Sequence, residues 1–239
     1  RRLRLLSFFK RINHNNREGL SKTIESVVNQ TFQDYEYIII DGGSNDGTLE
    51  EIKNNRHKIK KWISEKDSGI YNAMNKGINN ATGGYCLFLN SGDYLYSLNV
   101  LDAVFSKSPS ADLICCLMNI EEVDGSNPTV YSVNTERINN RYIFIQSLPH
   151  PSTFIKRDLF NKHGLYDESL KIAGDYDFFV RAIKGKATFE IYQIILSSFN
   201  KGGISYRDLD LVSTEQMIVQ KKYYPVYYLF HSLLNRIKK

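Results

Sequence analysis

YEYIIIDGGSNDGT, residues 35 to 48, decides the fold. A compact apolar run from Tyr35 to Ile40 stops at Asp41, and Gly42, Gly43, Ser44, Asn45, Asp46 and Gly47 follow at once. An apolar run of that length bounded by turn residues reads as a buried strand, and Thr48 is placed to open a helix through about Lys60. Upstream, Leu20, Ile24, Val27 and Val28 recur at helical spacing between Arg17 and Gln30, with Asn15 or Asn16 suited to cap the start. Downstream, Trp62 to Ser64 reads as a short strand and Ile70 to Ala81 as a helix stopped by Gly83-Gly84. Tyr85 to Leu89 then reads as a second buried strand, running into Asn90-Ser91-Gly92-Asp93. Strands alternating with helices predict an α/β fold with a helix-covered sheet. Open sheets of that class bind ligands at the carboxyl ends of their strands, which gives the loops at Asp41 and Asp93 one address.

Past Asp93 the spacing predicts a helix near Leu98 to Lys107, a strand at Asp112 to Met118 and β-like stretches around Asp124-Gly125. A strand at Ser152 to Ile155 follows, then helices from Arg157 to about His163 and from about Tyr176 to Lys184. Helical patterns resume at Leu209, with a break at Pro225. The organisation expected is a body of residues 1–208 and a helical extension of residues 209–239.

With 42% hydrophobic and 24% charged residues in 239, the chain is neither disordered nor membrane-spanning in composition. No apolar stretch reaches the roughly 18 residues of a spanning helix, and the apolar core of Arg1 to Arg11 is too short for a signal peptide. Cys86, Cys115 and Cys116 lack metal or redox spacing and suit buried free thiols in a reducing cytosol. The expected location is cytoplasmic. Tyr227, Tyr228, Leu229, Phe230, Leu233 and Leu234 precede Arg236, Lys238 and Lys239, a pattern for peripheral contact with the inner face of a membrane. The same pattern also fits a terminal helix docking on its own core. A net charge of +5 leans toward an anionic partner. Cations spread along the chain argue against nucleic acid, and no G-x-G-x-x-G follows an early strand to mark a dinucleotide site.

A nucleotide sugar presents a base, a ribose and a diphosphate whose charge grows as its glycosidic bond breaks. Carboxylates accept from base N–H and ribose hydroxyls, and a hard divalent cation, Mn²⁺ or Mg²⁺, neutralises the leaving group. Asp93, on a tight turn, is the candidate metal ligand, with an ordinary surface turn as the competing reading.

Three ordered motifs carry a resemblance. They are the strand with Asp41 to Thr48, the segment Glu65-Lys66-Asp67-Ser68-Gly69-Ile70-Tyr71-Asn72-Ala73-Met74-Asn75-Lys76-Gly77-Ile78, and Leu87-Phe88-Leu89-Asn90-Ser91-Gly92-Asp93. Together they resemble glycosyltransferase family 2, inverting enzymes of the GT-A fold, a Rossmann-like mixed sheet flanked by helices. Ala173-Gly174-Asp175-Tyr176-Asp177-Phe178-Phe179-Val180-Arg181 resembles the family's E-D-x-D-[LF]-x-x-R segment, with Asp175 at the general-base position. His150-Pro151-Ser152-Thr153-Phe154 resembles the stretch leading to it, and Phe199 to Ser205 the loop that ends the catalytic domain, where Lys201 and backbone N–H groups would meet diphosphate.

The resemblance implies Asp41 and Asp67 at the nucleoside, usually uridine, and Asn15, Ser44, Asn75, Asn90 and His150 around the nucleotide sugar. Asp93 would hold the metal, and Asp175 would take the acceptor's proton. Ser44 and Asp46 have a turn-shaping role as the alternative, His150 a structural one, and Asp177 that of a helix N-terminal acid. The acceptor implied is a glycan or a lipid-linked one, as in surface-polysaccharide synthesis. Three departures stand out: Asn90 replaces the first acid of D-x-D, Gly174 replaces a Glu, and Lys10 and Arg11 fall where an uncharged first strand is expected. They motivate a rival reading as a degenerate nucleotide-sugar-binding scaffold; a nucleotidyltransferase or nucleotide-sugar hydrolase is another.

Overall fold

The computed structural model describes residues 17–122, 124–133 and 138–229, with the backbone of 3–9. Asn15, Lys10, Arg11 and the basic tail beyond 229 lie outside the described residues. Chain order begins β1 (Leu3–Phe9), α1 (Arg17–Val28), β2 (Tyr35–Asp41), α2 (Thr48–Asn54), β3 (Lys61–Ser64), α3 (Ile70–Asn80) and β4 (Tyr85–Asn90). It continues with β5 (Tyr94–Leu95), α4 (Val100–Phe105), β6 (Leu113–Glu121), β7 (Thr129–Tyr131), α5 (Asn140–Ile145), β8 (Thr153–Lys156), α6 (Asp158–His163) and α7 (Gly174–Lys184). The last elements are β9 (Phe189–Asn200), α8 (Ile204–Arg207) and α9 (Leu209–Tyr223).

The sheet runs β3-β2-β1-β4-β8-β6-β9-β5, with β7 on β6. Its first four strands are mutually parallel, while β8 lies antiparallel between β4 and β6. This is the mixed sheet flanked by helices expected of a GT-A fold. Both faces of the parallel half are covered, so β2 and β4 are buried along nearly their whole length instead of alternating. One face, with Ile38, Ile40, Cys86 and Phe88, packs against α3, α6 and α7; the other, with Tyr37, Ile39, Leu87 and Leu89, packs against α1 and α4.

One departure from the sequence expectation has a physical cause. The long β9 is not announced by alternation, because its ladder with β6 shifts register between Cys116 and Leu117 and again between Leu117 and Met118. The first inserts two residues of β9 and the second one more, and the odd insertion moves the following side chains to the other face. Helix α9 lies against α7 and delivers Val219, with the following Tyr224, to the larger core cluster. Among the described residues no helix is long and apolar enough to cross a membrane.

Candidate active site

Strand register aligns the acidic loops. Phe9 pairs with Asp41, Asp41 with Ser64, and Phe8 with Asn90, so β1 to β4 end at one level. The loops carrying Asp41, Asp67 and Asp93 therefore leave the same carboxyl edge of the sheet, where ligand sites of open α/β sheets form.

Asp41 is wholly buried. Its carboxylate accepts from the Ser44 N–H at 3.1 and 3.2 Å, from Ser44 Oγ at 2.5 Å and from Ser64 Oγ at 2.6 Å. Ser44 thus folds the loop back on Asp41. At Gly43, φ 85°, an added Cβ would sit 3.6 Å from Lys66 N, so this loop packs against the next. That next loop holds Asp67, half-buried, and is braced by Lys76 of α3, whose Nζ pairs with Glu65 at 2.7 Å and donates to the Lys66 carbonyl at 3.3 Å.

Asp93 is buried, and burial raises its carboxyl to about 7, against the opposing pull of hydrogen bonds from Asn90 and from the Asn200 backbone. The Asn90 N–H and Nδ2 both donate to Asp93 Oδ2, at 3.1 and 3.2 Å. Asn90 therefore orients the acid of its own turn. Gly92 takes φ 103°, and Thr23 of α1 staples the turn by donating to the Asp93 carbonyl at 2.7 Å while accepting from the Gly92 N–H. Beside it, buried Glu121 accepts from Tyr94 Oη and faces Lys22 at 3.5 Å. Lys201, at the end of β9, pairs with Glu122 at 2.7 Å.

No group of three or more His, Cys, Asp or Glu able to hold a metal occurs among the described residues. A buried, oxygen-only ligand that binds its proton tightly still fits a hard cation, provided that most ligands come from a diphosphate.

Helix α3 carries the link to the other half. Asn75 is buried and fully engaged with the loop before α7: its Nδ2 donates to the Tyr166 carbonyl at 3.0 Å and to Glu168 at 2.8 Å, and its Oδ1 accepts from the Tyr166 N–H at 3.0 Å. Asn72 reaches Glu168 at 2.9 Å, and Tyr71 Oη donates to Asp175 Oδ1 at 3.0 Å. Asp175, half-buried in the first turn of α7, is thereby tied to α3.

Asp177 points inward instead. It is 1% exposed and pairs with Arg181 at 2.8 Å, while Arg181 also donates to the carbonyls of His163, Gly164 and Leu165. His150 is buried, stacks on Phe88 with centroids 5.0 Å apart, and meets Tyr166 Oη at 2.9 Å through Nε2. Burial lowers its pKa, with the Asp175 charge pulling the other way.

Two residues that sequence reasoning missed hold this half in place. Buried Glu215 of α9 accepts from the N–H groups of Lys171, Ile172 and Ala173 at 2.8 to 2.9 Å, capping the approach to α7 from a distant helix. Tyr71 is the other, and its place inside the long helical motif was the available signal. A shallow cavity of about 250 Å³ between α1 and α2, lined in part by Glu25, Glu51, His57 and Lys58, includes none of the candidate residues.

The fold and this edge of acidic loops define a GT-A glycosyltransferase. The model of the family described as "Glycosyl transferase family 2" matches residues 12–164, and the chain belongs to that family. A PGL/p-HBAD biosynthesis glycosyltransferase of Mycobacterium bovis is 27% identical over 199 residues, covering 80% of this chain and 75% of the relative. An uncharacterized glycosyltransferase of Mycobacterium tuberculosis is 32% identical over 180 residues, 72% of this chain and 66% of the relative.

Among solved structures, Staphylococcus aureus TarS 1–349 in complex with UDP-GlcNAc superposes with TM-score 0.69 at 18% identity, covering 93% of this chain and 67% of that one. Against TarS 1–349 without ligand in its description, the chain spans 66% of the other's length, just under two thirds. The mannosyltransferase PcManGT from Pyrobaculum calidifontis, in complex with GDP-Man and Mn²⁺, superposes with TM-score 0.62 at 14% identity, over 98% of this chain and 65% of that one.

Proposed function

We propose that this glycosyltransferase moves a sugar from a nucleoside diphosphate donor, a UDP-sugar first among them, to an acceptor hydroxyl with inversion. The observation that carries the reading is the register: acids from three loops meet at one carboxyl edge, and α3 ties Asp175 to that edge through Tyr71. Asp41, Ser44 and Asp67 shape the nucleoside end. Asn90 sets the orientation of Asp93, and Asn75 and His150 support the site from beneath, consistent with their burial.

Asp93 and the donor's diphosphate oxygens would hold Mn²⁺ or Mg²⁺, which neutralises charge on the leaving group. Asp175 takes the proton from the acceptor hydroxyl, whose oxygen forms the new bond to the anomeric carbon. The bond to diphosphate breaks on the opposite face and takes its electron pair with it. One displacement of this kind inverts the centre.

UDP-GlcNAc in TarS and Mn²⁺ with GDP-Man in PcManGT support the donor class and the cation. A glycan or lipid-linked acceptor is the class proposed, for a cytoplasmic enzyme that rests peripherally on the inner face of a membrane. Leu209, Val226, Tyr227 and Leu229, each at least half exposed near the basic extension, support the membrane contact. In the division proposed, residues 1–208 carry the chemistry and residues 209–239 form the helical extension that braces it.

The test is release of the nucleotide leaving group, a diphosphate from UDP-, GDP- and dTDP-sugars and CMP from CMP-sugars, with Mn²⁺, in the native protein and in Asp175→Asn. Turnover with one donor that falls by about 10²-fold or more in the variant is the result expected. Donor binding with no turnover in the native protein favours the scaffold reading, and equal turnover in both proteins removes Asp175 as the base.

A further inference from the structure

Where the family's pattern carries a Glu, this chain has Gly174, and the space that a side chain would need is already filled. A Cβ added at Gly174 comes within 2.7 to 2.8 Å of the Cε2, Cδ2 and Cζ atoms of Tyr71, closer than real Cβ contacts come. The ring cannot simply swing aside. It is 4% exposed, lies 5.5 Å from the Tyr166 ring, and ends in the hydroxyl that donates to Asp175 Oδ1 at 3.0 Å. Loss of the acid at 174 and entry of a phenol from α3 are thus one steric arrangement.

We infer that Tyr71 is the positioning residue for the base, its hydroxyl doing in this chain what a neighbouring acid cannot: fixing the rotamer of the Asp175 carboxylate. The inference rests on the reading of Asp175 as the base. Burial, and then the Asp175 charge, raise Tyr71 well above the ordinary tyrosine value, so the phenol stays a donor at neutral pH. With Oδ1 held by Tyr71, no other hydrogen bond to the Asp175 carboxylate occurs among the described residues, so Oδ2 is available to an acceptor hydroxyl. The other titratable groups that sense Asp175 are His150, neutral through burial, and Tyr166, a phenol raised well above its ordinary value by burial and then by Asp175. Neither changes charge between about pH 7 and 9, where the profile is read.

The experiment compares native protein, Tyr71→Phe, Asp175→Asn, Gly174→Ala and the double variant Gly174→Ala/Tyr71→Ala, following nucleoside diphosphate release from UDP-GlcNAc with Mn²⁺ across pH. Tyr71→Phe keeps the ring and removes one hydroxyl. The expected result is a roughly tenfold fall in kcat with a donor KM within about twofold of native. Gly174→Ala is expected to lower kcat when Tyr71 is present and to cost nothing further in the Tyr71→Ala background, where the clash is gone.

A Tyr71→Phe profile that superposes on the native one, with Asp175→Asn inactive, overturns the role of Tyr71 and leaves the base standing. Full turnover in Asp175→Asn overturns both, since no base then remains to be positioned. Thermal midpoints within a few degrees among the single variants separate these outcomes from unfolding.

Discussion

Asp93 and Asp177 show how burial assigns two acids of one chain to different work. Asp177 has Arg181 at 2.8 Å and Lys222 at 3.7 Å, so its charge is matched, and the same Arg181 gathers three carbonyls of the loop after α6. Arg181→Ala strips the nearer cation from a buried carboxylate, and urea unfolding should show a loss of about 3 kcal/mol. A loss under about 1 kcal/mol would mean that Lys222 alone suffices. Asp93 has no such cation among the described residues, and burial raises its carboxyl to about 7 from an ordinary value near 3.8. Folding therefore disfavours its ionised form, so this residue's contribution to stability is complete below about pH 4 and is lost as pH rises to about 7. The unliganded native protein should lose stability between about pH 4 and 7 relative to Asp93→Asn. A cation must displace that proton, so affinity for Mn²⁺ with nucleotide should weaken by about tenfold per unit below pH 7. Titration calorimetry at several pH values checks the slope.

Helix α7 is placed by its neighbours as much as by its own sequence. Glu215 gathers three N–H groups of residues 171–173, and removing its carboxylate leaves donors without a partner at the start of the helix that carries the candidate base. Glu215→Ala should cost on the order of 2–4 kcal/mol in denaturant unfolding and lower turnover with it. Stability equal to native would show that water replaces the carboxylate. Elements whose signals are local were legible in the sequence: β2 from its apolar run and turn, β4 from the same pattern, and α3 from its spacing between Gly69 and Gly83. Glu215 was not, because nothing in the sequence around it tells where its oxygens go. Strand β9 was hidden for a related reason, since its register shifts against β6 break the alternation that would reveal its faces.

At the scale of the molecule, the candidate donor side is built on the parallel strands β1 to β4, and the candidate base arrives from the antiparallel half by way of α7. The order of the acidic motifs was readable, because strands of a parallel sheet deliver their loops to one edge. Their coupling to Asp175 was not, because it runs through Tyr71, Asn72 and Asn75 across about a hundred residues of sequence. The extension joins that coupling, as Val219 and Tyr224 reach the core. A chain ending at residue 208 should accordingly lose cooperative unfolding, which circular dichroism melts would reveal.

The most direct test of the donor site is binding of UDP-GlcNAc to the native protein and to Asp93→Ala, by thermal shift with and without Mn²⁺. A ligand that binds the folded state raises its midpoint. The expected result is a shift that needs Mn²⁺ and disappears in the variant. An equal shift in both proteins, with or without the cation, would contradict the assignment of Asp93 and of the edge it occupies.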